Sequence, residues 1–251
     1  PTEDGPYTTF DKLPTTHSIY ELMRKSSPLY NKPYKCVAGN CADRCESISH
    51  SIVDNFKMLH REDRGCPIAT TGNHIAMRFF ILSHYIADCH MPLHCDSRSF
   101  SEGKNIHGHI ESEWDKAVKK SYVIDLKNER FGYDPEGYPL LTGKETELIK
   151  AVEEDLKTRV YNHSWGTKNS NCWDYMSSVS EYSYLLSHAM LPDSVDPETI
   201  DAKAFKALDS YADFEKNSAA IMCDAVDSIA RVWLHVWARY RKWAKPGKSE
   251  E

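Results

Sequence analysis

Two stretches of the chain concentrate side chains able to hold a metal ion. They are His84-Tyr85-Ile86-Ala87-Asp88-Cys89-His90-Met91-Pro92-Leu93-His94 and His107-Gly108-His109-Ile110-Glu111-Ser112-Glu113-Trp114-Asp115. Residues four apart on a helix share a face with their side chains adjacent, so His84 and Asp88 can grip one ion. His109 and Glu113 repeat that spacing, and two such pairs suggest two metal positions. Pro92 should end the first helix, and the turn it forces can carry His94 back toward the cluster. A mixed set of imidazole nitrogen and carboxylate oxygen favours zinc among the ions that tolerate imidazole.

The bland reading of any one of these histidines is a hydrogen-bonded core residue, since histidine is often buried. Density shifts the balance. Two histidine-carboxylate pairs bracketing a proline turn with a further histidine would be costly to bury without a cation to neutralise the acids. His90, His107, Glu111 and Asp115 are left open between hydrogen bonding to the ligands and direct coordination. Cys89 and Cys95 flank two of the ligands and are expected to point into the core or to form disulfides.

The elements that must position these residues read as helices. Apolar residues recur at helical spacing from Cys45 to Leu59, from Ile75 to Ile86 and from Phe214 to Trp243, with weaker stretches near Glu145 to Tyr161 and Trp173 to Met190. Pro192 stops the last of these. Strand signals are sparse, so the expected fold is all-α, one multi-helix domain over residues 1–251. In the final helix Met222, Val226, Ile229, Trp233, Val236, Trp237 and Tyr240 define one stripe, read as core. Phe131 to Thr142, with glycines and prolines among its tyrosines, reads as a surface loop.

At 251 residues the chain can bury a substantial core. A net charge of -6 gives no general attraction to nucleic acid or anionic lipid, so a phosphate substrate would have to meet local positive charge, which bound metal can supply. Eight cysteines suit an oxidising compartment, and export is expected on that ground, although the chain opens with polar Pro1-Thr2-Glu3-Asp4 and shows no signal peptide. Cys36, Cys41 and Cys45 are spaced as for a disulfide-tied loop.

The ordered pattern His84-x-x-x-Asp88-x-x-x-Pro92-Leu93-His94, then His109-x-x-x-Glu113, resembles the core signature of the bacterial zinc-dependent phospholipases C and the related single-strand-specific zinc nucleases. Upstream, Asp4-Gly5-Pro6-Tyr7 and His17 are similar to that superfamily's first aspartate and histidine ligands. The resemblance implies that Asp4, His17, His84 and Asp88 hold one zinc ion and that His94, His109 and Glu113 hold another. A third ion in the superfamily uses the amino terminus of a leading tryptophan, and this chain begins at Pro1, so two ions are expected and the third is not carried over.

What the resemblance implies about activity is hydrolysis of phosphodiesters by a metal-activated water, with Asp4 as the candidate general base. The pairing of histidine with glutamate at four residues is closer to the phospholipases than to the nucleases, which pair histidine with aspartate. The expected substrate is therefore a phospholipid or similar phosphodiester, with peripheral membrane contact. The alternative is single-stranded nucleic acid, stacked on aromatics such as Tyr7, Phe10, Phe131, Tyr133 and Tyr138. A third reading, from another class, is a non-catalytic helical protein that keeps zinc for stability or for binding a partner.

Overall fold

The structure is a computed structural model that describes residues 39–62, 70–96, 98–101, 103–128, 130–159 and 171–244. Seven α-helices run through them: α1 (Gly39–Glu62), α2 (Gly72–His90), α3 (Ile106–Ser121), α4 (Glu147–Thr158), α5 (Cys172–Met190), α6 (Ala202–Lys206) and α7 (Phe214–Ala244). Single 3-10 turns occupy Pro92–His94 and Asp209–Asp213. The fold is all-α, as the periodicity predicts. No helix among the described residues is long and apolar enough to cross a membrane.

Helix α5 lies at the centre. Its N-cap Asn171 accepts a hydrogen bond from the Asp174 amide at 2.7 Å, and from Tyr175 to Ser187 every residue is buried. Helices α1 and α2 pack on α5 and on each other, and α7 runs against α1, α2 and α4. The main core joins Ile52, Leu82, Ile86, Tyr182 and Val232, and a smaller one joins Ala117, Ile149, Val152 and Cys223 between α3, α4 and α7. Two of the serines that face inward on α5 are satisfied locally, Ser178 Oγ donating to the Asp174 carbonyl at 3.0 Å and Ser180 Oγ to the Met176 carbonyl at 2.9 Å, while Ser183 Oγ donates across to the Cys89 carbonyl at 2.6 Å.

Helix α7 departs from the sequence reading. Val226, Trp233 and Trp237 of the supposed core stripe are exposed, while the buried face carries Asn217, Ser218, Asp224, Asp227, Ser228 and Arg231 beside Ile221, Val232 and Val236. Of these, Ser218, Asp224, Asp227, Ser228 and Arg231 each find a partner. Arg159 Nη1 donates to Asp224 Oδ1 at 2.7 Å, Arg231 Nε donates to Asp227 Oδ2 at 2.9 Å, and Trp114 Nε1 donates to Ser218 Oγ at 2.8 Å. Ser228 Oγ sits 2.7 Å from His90 Nε2 and 2.9 Å from the Tyr175 hydroxyl, so His90 belongs to this polar core.

The segment read as a surface loop is exposed but ordered. Strands β1 (Ile124–Asp125) and β2 (Arg130–Phe131) pair antiparallel with Ile124 opposite Phe131, and bridges join Tyr122 to Leu141 and Tyr133 to Pro139. Strands of two residues are too short for an alternating pattern to show.

On α7, His235 is held down to about 4, first by burial and then by the Arg239 cation, with Glu46 acting in the opposite sense. The unfolded chain, with this imidazole at its ordinary 6.5, takes up a proton that the folded chain refuses. The resulting stability is fully present above pH 6.5 and is lost as the pH falls toward 4. Urea unfolding of a His235→Gln variant should therefore show a shallower fall in stability across that window than the native chain; an unchanged slope would contradict the assignment.

Candidate metal centre

Helix α2 is started by Thr71, whose hydroxyl accepts from the His74 amide at 3.3 Å, and is stopped at His90. The Met91 amide still donates to the Ala87 and Asp88 carbonyls at 3.2 and 3.1 Å, but Pro92 has no amide proton to continue the ladder. The chain tightens instead into the 3-10 turn, with the His94 amide donating to the Met91 carbonyl at 3.0 Å. Beyond it, Asp96 accepts from the Arg98 guanidinium and from Ser187 Oγ of α5 at 2.6 Å, while Arg98 Nη1 donates to the Leu191 carbonyl at 2.6 Å. Burial works to raise the Asp96 carboxyl, and these donors outweigh it and hold it below its ordinary value. This knot clamps the His94 turn onto the central helix.

Helix α3 is aimed by its first residues. Asn105 adopts the left-handed conformation at φ +51°, and its side chain accepts from the Gly108 amide at 2.9 Å. A Cβ on Gly108 would lie 2.6 Å from Asn105 Nδ2, so the glycine leaves room for the cap. His107 is thereby set in the first turn, with Nδ1 2.6 Å from Ser101 Oγ.

These elements bring five side chains into one arc. His84 Nε2 lies 3.3 Å from Asp88 Oδ2, and the other oxygen of that carboxylate lies 3.6 Å from His94 Nδ1. Glu111 Oε1 is 3.5 Å from His94 Nε2 and 3.1 Å from His107 Nε2. Donor atoms of His94, His107 and Glu111 all lie within 4.8 Å of one another. Two ligands about 2.0–2.1 Å from a tetrahedral zinc ion stand roughly 3.3 Å apart, which is near the spacing of these atoms; His94 turns Nδ1 to Asp88 and Nε2 to Glu111, and the His107–Glu111 contact is itself a hydrogen bond at 3.1 Å. The arc is open to solvent at both ends, with the His84 side chain 66% and that of Glu111 51% exposed. Burial pulls the His107 imidazole below its ordinary value, Glu111 opposes this and His94 adds to it, so a neutral ring is favoured.

His109 and Glu113 lie elsewhere. Two residues further along a helix is about 200° around it, which turns this pair away from His107 and Glu111. The His109 ring packs edge-on to Phe205 of α6, with Nε2 buried and without a hydrogen-bond partner among the described residues. Glu113 pairs with Lys116 at 3.0 Å, and chiefly that lysine holds its carboxyl below the ordinary value. Asp115 pairs with Lys119 at 2.7 Å. The structure thus joins His84, Asp88 and His94 to His107 and Glu111, whose identical four-residue spacing was the available signal. Asp4 and His17 lie outside the described residues, as do Tyr7 and Phe10. Tyr133 and Tyr138 are exposed on the hairpin that follows the far end of α3 from His107.

The expected disulfides do not form among the described residues: Cys41, Cys45, Cys89, Cys95, Cys172 and Cys223 are free thiols. Cys41 and Cys45 belong to helix α1, where residues four apart hold their Cβ atoms about 5–6 Å from each other, too far for a disulfide. Cys36 and Cys66 lie outside the described residues. Cys41, Cys45 and Cys89 instead form a compact group, with their sulfurs within 4.8 Å of one another. Cys41 ionises most readily of the three, because Cys45 and Cys89 can donate to its thiolate, and His94 and His84 stand nearby; burial opposes this. Burial pushes the Cys89 thiol up.

Comparisons with protein families, with characterised proteins and with solved structures find no match for the chain.

The Asn105 cap can be tested apart from any ligand. Asn105→Ala should lower stability by about 1–2 kcal/mol, through the lost cap and the cost of a left-handed alanine. Asn105→Gly should restore most of that loss, since glycine tolerates both. Equal destabilisation by the two changes would argue against the cap geometry.

Proposed function

We propose that the chain is a zinc-dependent hydrolase of phosphodiesters, with metal held by His84, Asp88, His94, His107 and Glu111. The observation that carries this reading is the convergence of donor atoms of His94, His107 and Glu111 within 4.8 Å of one another, with Asp88 facing the other nitrogen of His94 and so fixing which nitrogen that ring offers. His94, His107 and Glu111 complete one position. The other has His84 and Asp88, and by resemblance would draw on Asp4 and His17. Zinc bound here supplies Lewis acidity toward the phosphoryl oxygens and lowers the pKa of a water so that hydroxide is available near neutral pH.

The protein's own residues prepare that chemistry. Burial keeps the His107 ring neutral and so able to coordinate, and donation from Nδ1 to Ser101 would leave the Nε2 lone pair facing the metal position. Asp88 is held at the last turn of α2 and His94 on the turn clamped to α5, so neither must be ordered when metal binds. The solvent-open edges at His84 and Glu111 favour a catalytic site that retains water over a closed structural one. The acid paired with His107 is glutamate, the same histidine-glutamate pairing at four residues, shifted by two positions from His109 and Glu113, which makes a phospholipid the first substrate to test, with single-stranded nucleic acid as the alternative.

Metal content and cleavage of a chromogenic phosphodiester should be measured on the full chain for two pairs of variants. His107→Ala and Glu111→Gln should each lose metal and reduce turnover by roughly a hundredfold or more, at least as much as loss of a residue that supports a ligand. His109→Ala and Glu113→Gln should keep both. Lipid and single-stranded DNA substrates then separate the two substrate classes. Full turnover in Asp88→Asn, or absence of bound metal from the native chain, would overturn the proposal.

A further inference from the structure

Helix α1 presents Cys41 and Cys45 on one face, one turn apart, and α2 brings Cys89 against them. The three sulfurs lie within 4.8 Å of one another. Cys45 and Cys89 are fully buried, whereas Cys41 is half-buried and donates from Sγ to the Tyr85 carbonyl at 3.0 Å, so Cys41 is the side from which an ion could enter. No histidine nitrogen or carboxylate oxygen belongs to this group. Its donors are all soft, a set that suits zinc(II) or copper(I) and not magnesium or calcium.

We propose that Cys41, Cys45 and Cys89 form a second metal site, for one thiophilic d10 cation, next to the histidine-carboxylate arc. Thiolates at about 2.3 Å from a tetrahedral ion stand roughly 3.8 Å from each other, within the spread of these sulfurs. A cation uses all three thiols, whereas a disulfide would strand one, and the helical pair cannot close on itself. Binding displaces the thiol protons to solvent and leaves the oxidation state of sulfur and metal unchanged. Three sulfurs complete a trigonal copper(I) site; zinc(II) would add a fourth ligand, and a further buried cysteine, Cys172 at the first turn of α5, stands within electrostatic reach of Cys45. Because Cys89 follows Asp88 directly, the ion would also pin the turn of α2 that carries that carboxylate. The site stands independently of the hydrolase reading.

The test uses the full chain, stripped of metal by a chelator under reducing conditions and titrated separately with zinc(II), with cadmium(II) as its spectroscopic surrogate, and with copper(I). The expected result is saturation at one sulfur-bound equivalent, a thiolate-to-metal charge-transfer band, protection of three thiols from a disulfide reagent, and a sulfur shell at about 2.3 Å by X-ray absorption on the zinc-loaded protein. Sulfur ligation of either zinc(II) or copper(I) supports the site and identifies its ion. The band should vanish in Cys45→Ala and Cys89→Ala and persist in Cys223→Ala. It should persist equally in His107→Ala, which separates this site from the hydrolase centre. Absence of sulfur ligation with every ion in the native chain would overturn the proposal, whether or not the cysteine variants fold, and so would a band of full strength in Cys45→Ala.

Discussion

The stop of helix α2 at His90 governs everything the candidate centre contains. Pro92 cannot donate the hydrogen bond that would extend the helix, so the chain turns within three residues and His94 returns toward Asp88 instead of moving a further turn down the axis. Were α2 to continue, His94 would rise about 9 Å beyond Asp88. The same stop places His90 inward on Ser228 and the Tyr175 hydroxyl, which ties the end of α2 to α5 and α7. One missing amide proton therefore links the polar core to the candidate metal centre.

A turn alone would be a poor platform, because a short exposed connection pays conformational entropy whenever it is ordered for a ligand. Here the ordering is done by Asp96 and Arg98, which join the turn to Ser187 and the Leu191 carbonyl at the end of the central helix. Asp96 stays ionised against its own burial because its donors are supplied from both sides. On the other edge, Asn105 accepts a left-handed backbone so that α3 begins in register for His107 and Glu111. The arc is held by two caps and an ion pair, none of which uses a side chain of the arc itself.

Much of this was legible in the residues themselves. The helices, the break at Pro92 and the His84, Asp88 and His94 trio follow from helical spacing and from proline chemistry. The register of α3 did not follow, since His107 with Glu111 and His109 with Glu113 have the same spacing and only the packing of Phe205 against His109 distinguishes them. The buried face of α7 was missed for a different reason. Apolar periodicity selects Val226, Trp233 and Trp237, but Asp224 and Ser228 are inside because Arg159 just after α4, His90 of α2 and Tyr175 of α5, all distant in sequence, await them, and Arg231 because Asp227 lies one turn back on its own helix. The cysteines were read as a loop because their spacing was counted without the helix that carries two of them.

Those three cases share a physical basis. Apolar burial is nondirectional and can be read from one segment at a time, whereas a buried polar or ligating group is acceptable only when a second segment supplies its partner. The described interior relies on such partners: the centre of α5 is lined with serines, α7 turns charged residues inward, and α1 and α2 meet through three thiols. A sequence of this kind gives up its helices readily and its contacts slowly. It follows that substitutions at one polar core position should be judged by what they leave unpaired on another helix, since an uncompensated buried charge costs about 3–5 kcal/mol where loss of a surface ion pair costs about 1 kcal/mol or less. By that measure Asp224, fully buried against Arg159, constrains the fold more than any exposed carboxylate of the candidate centre, and the centre's acids are correspondingly free to serve a ligand.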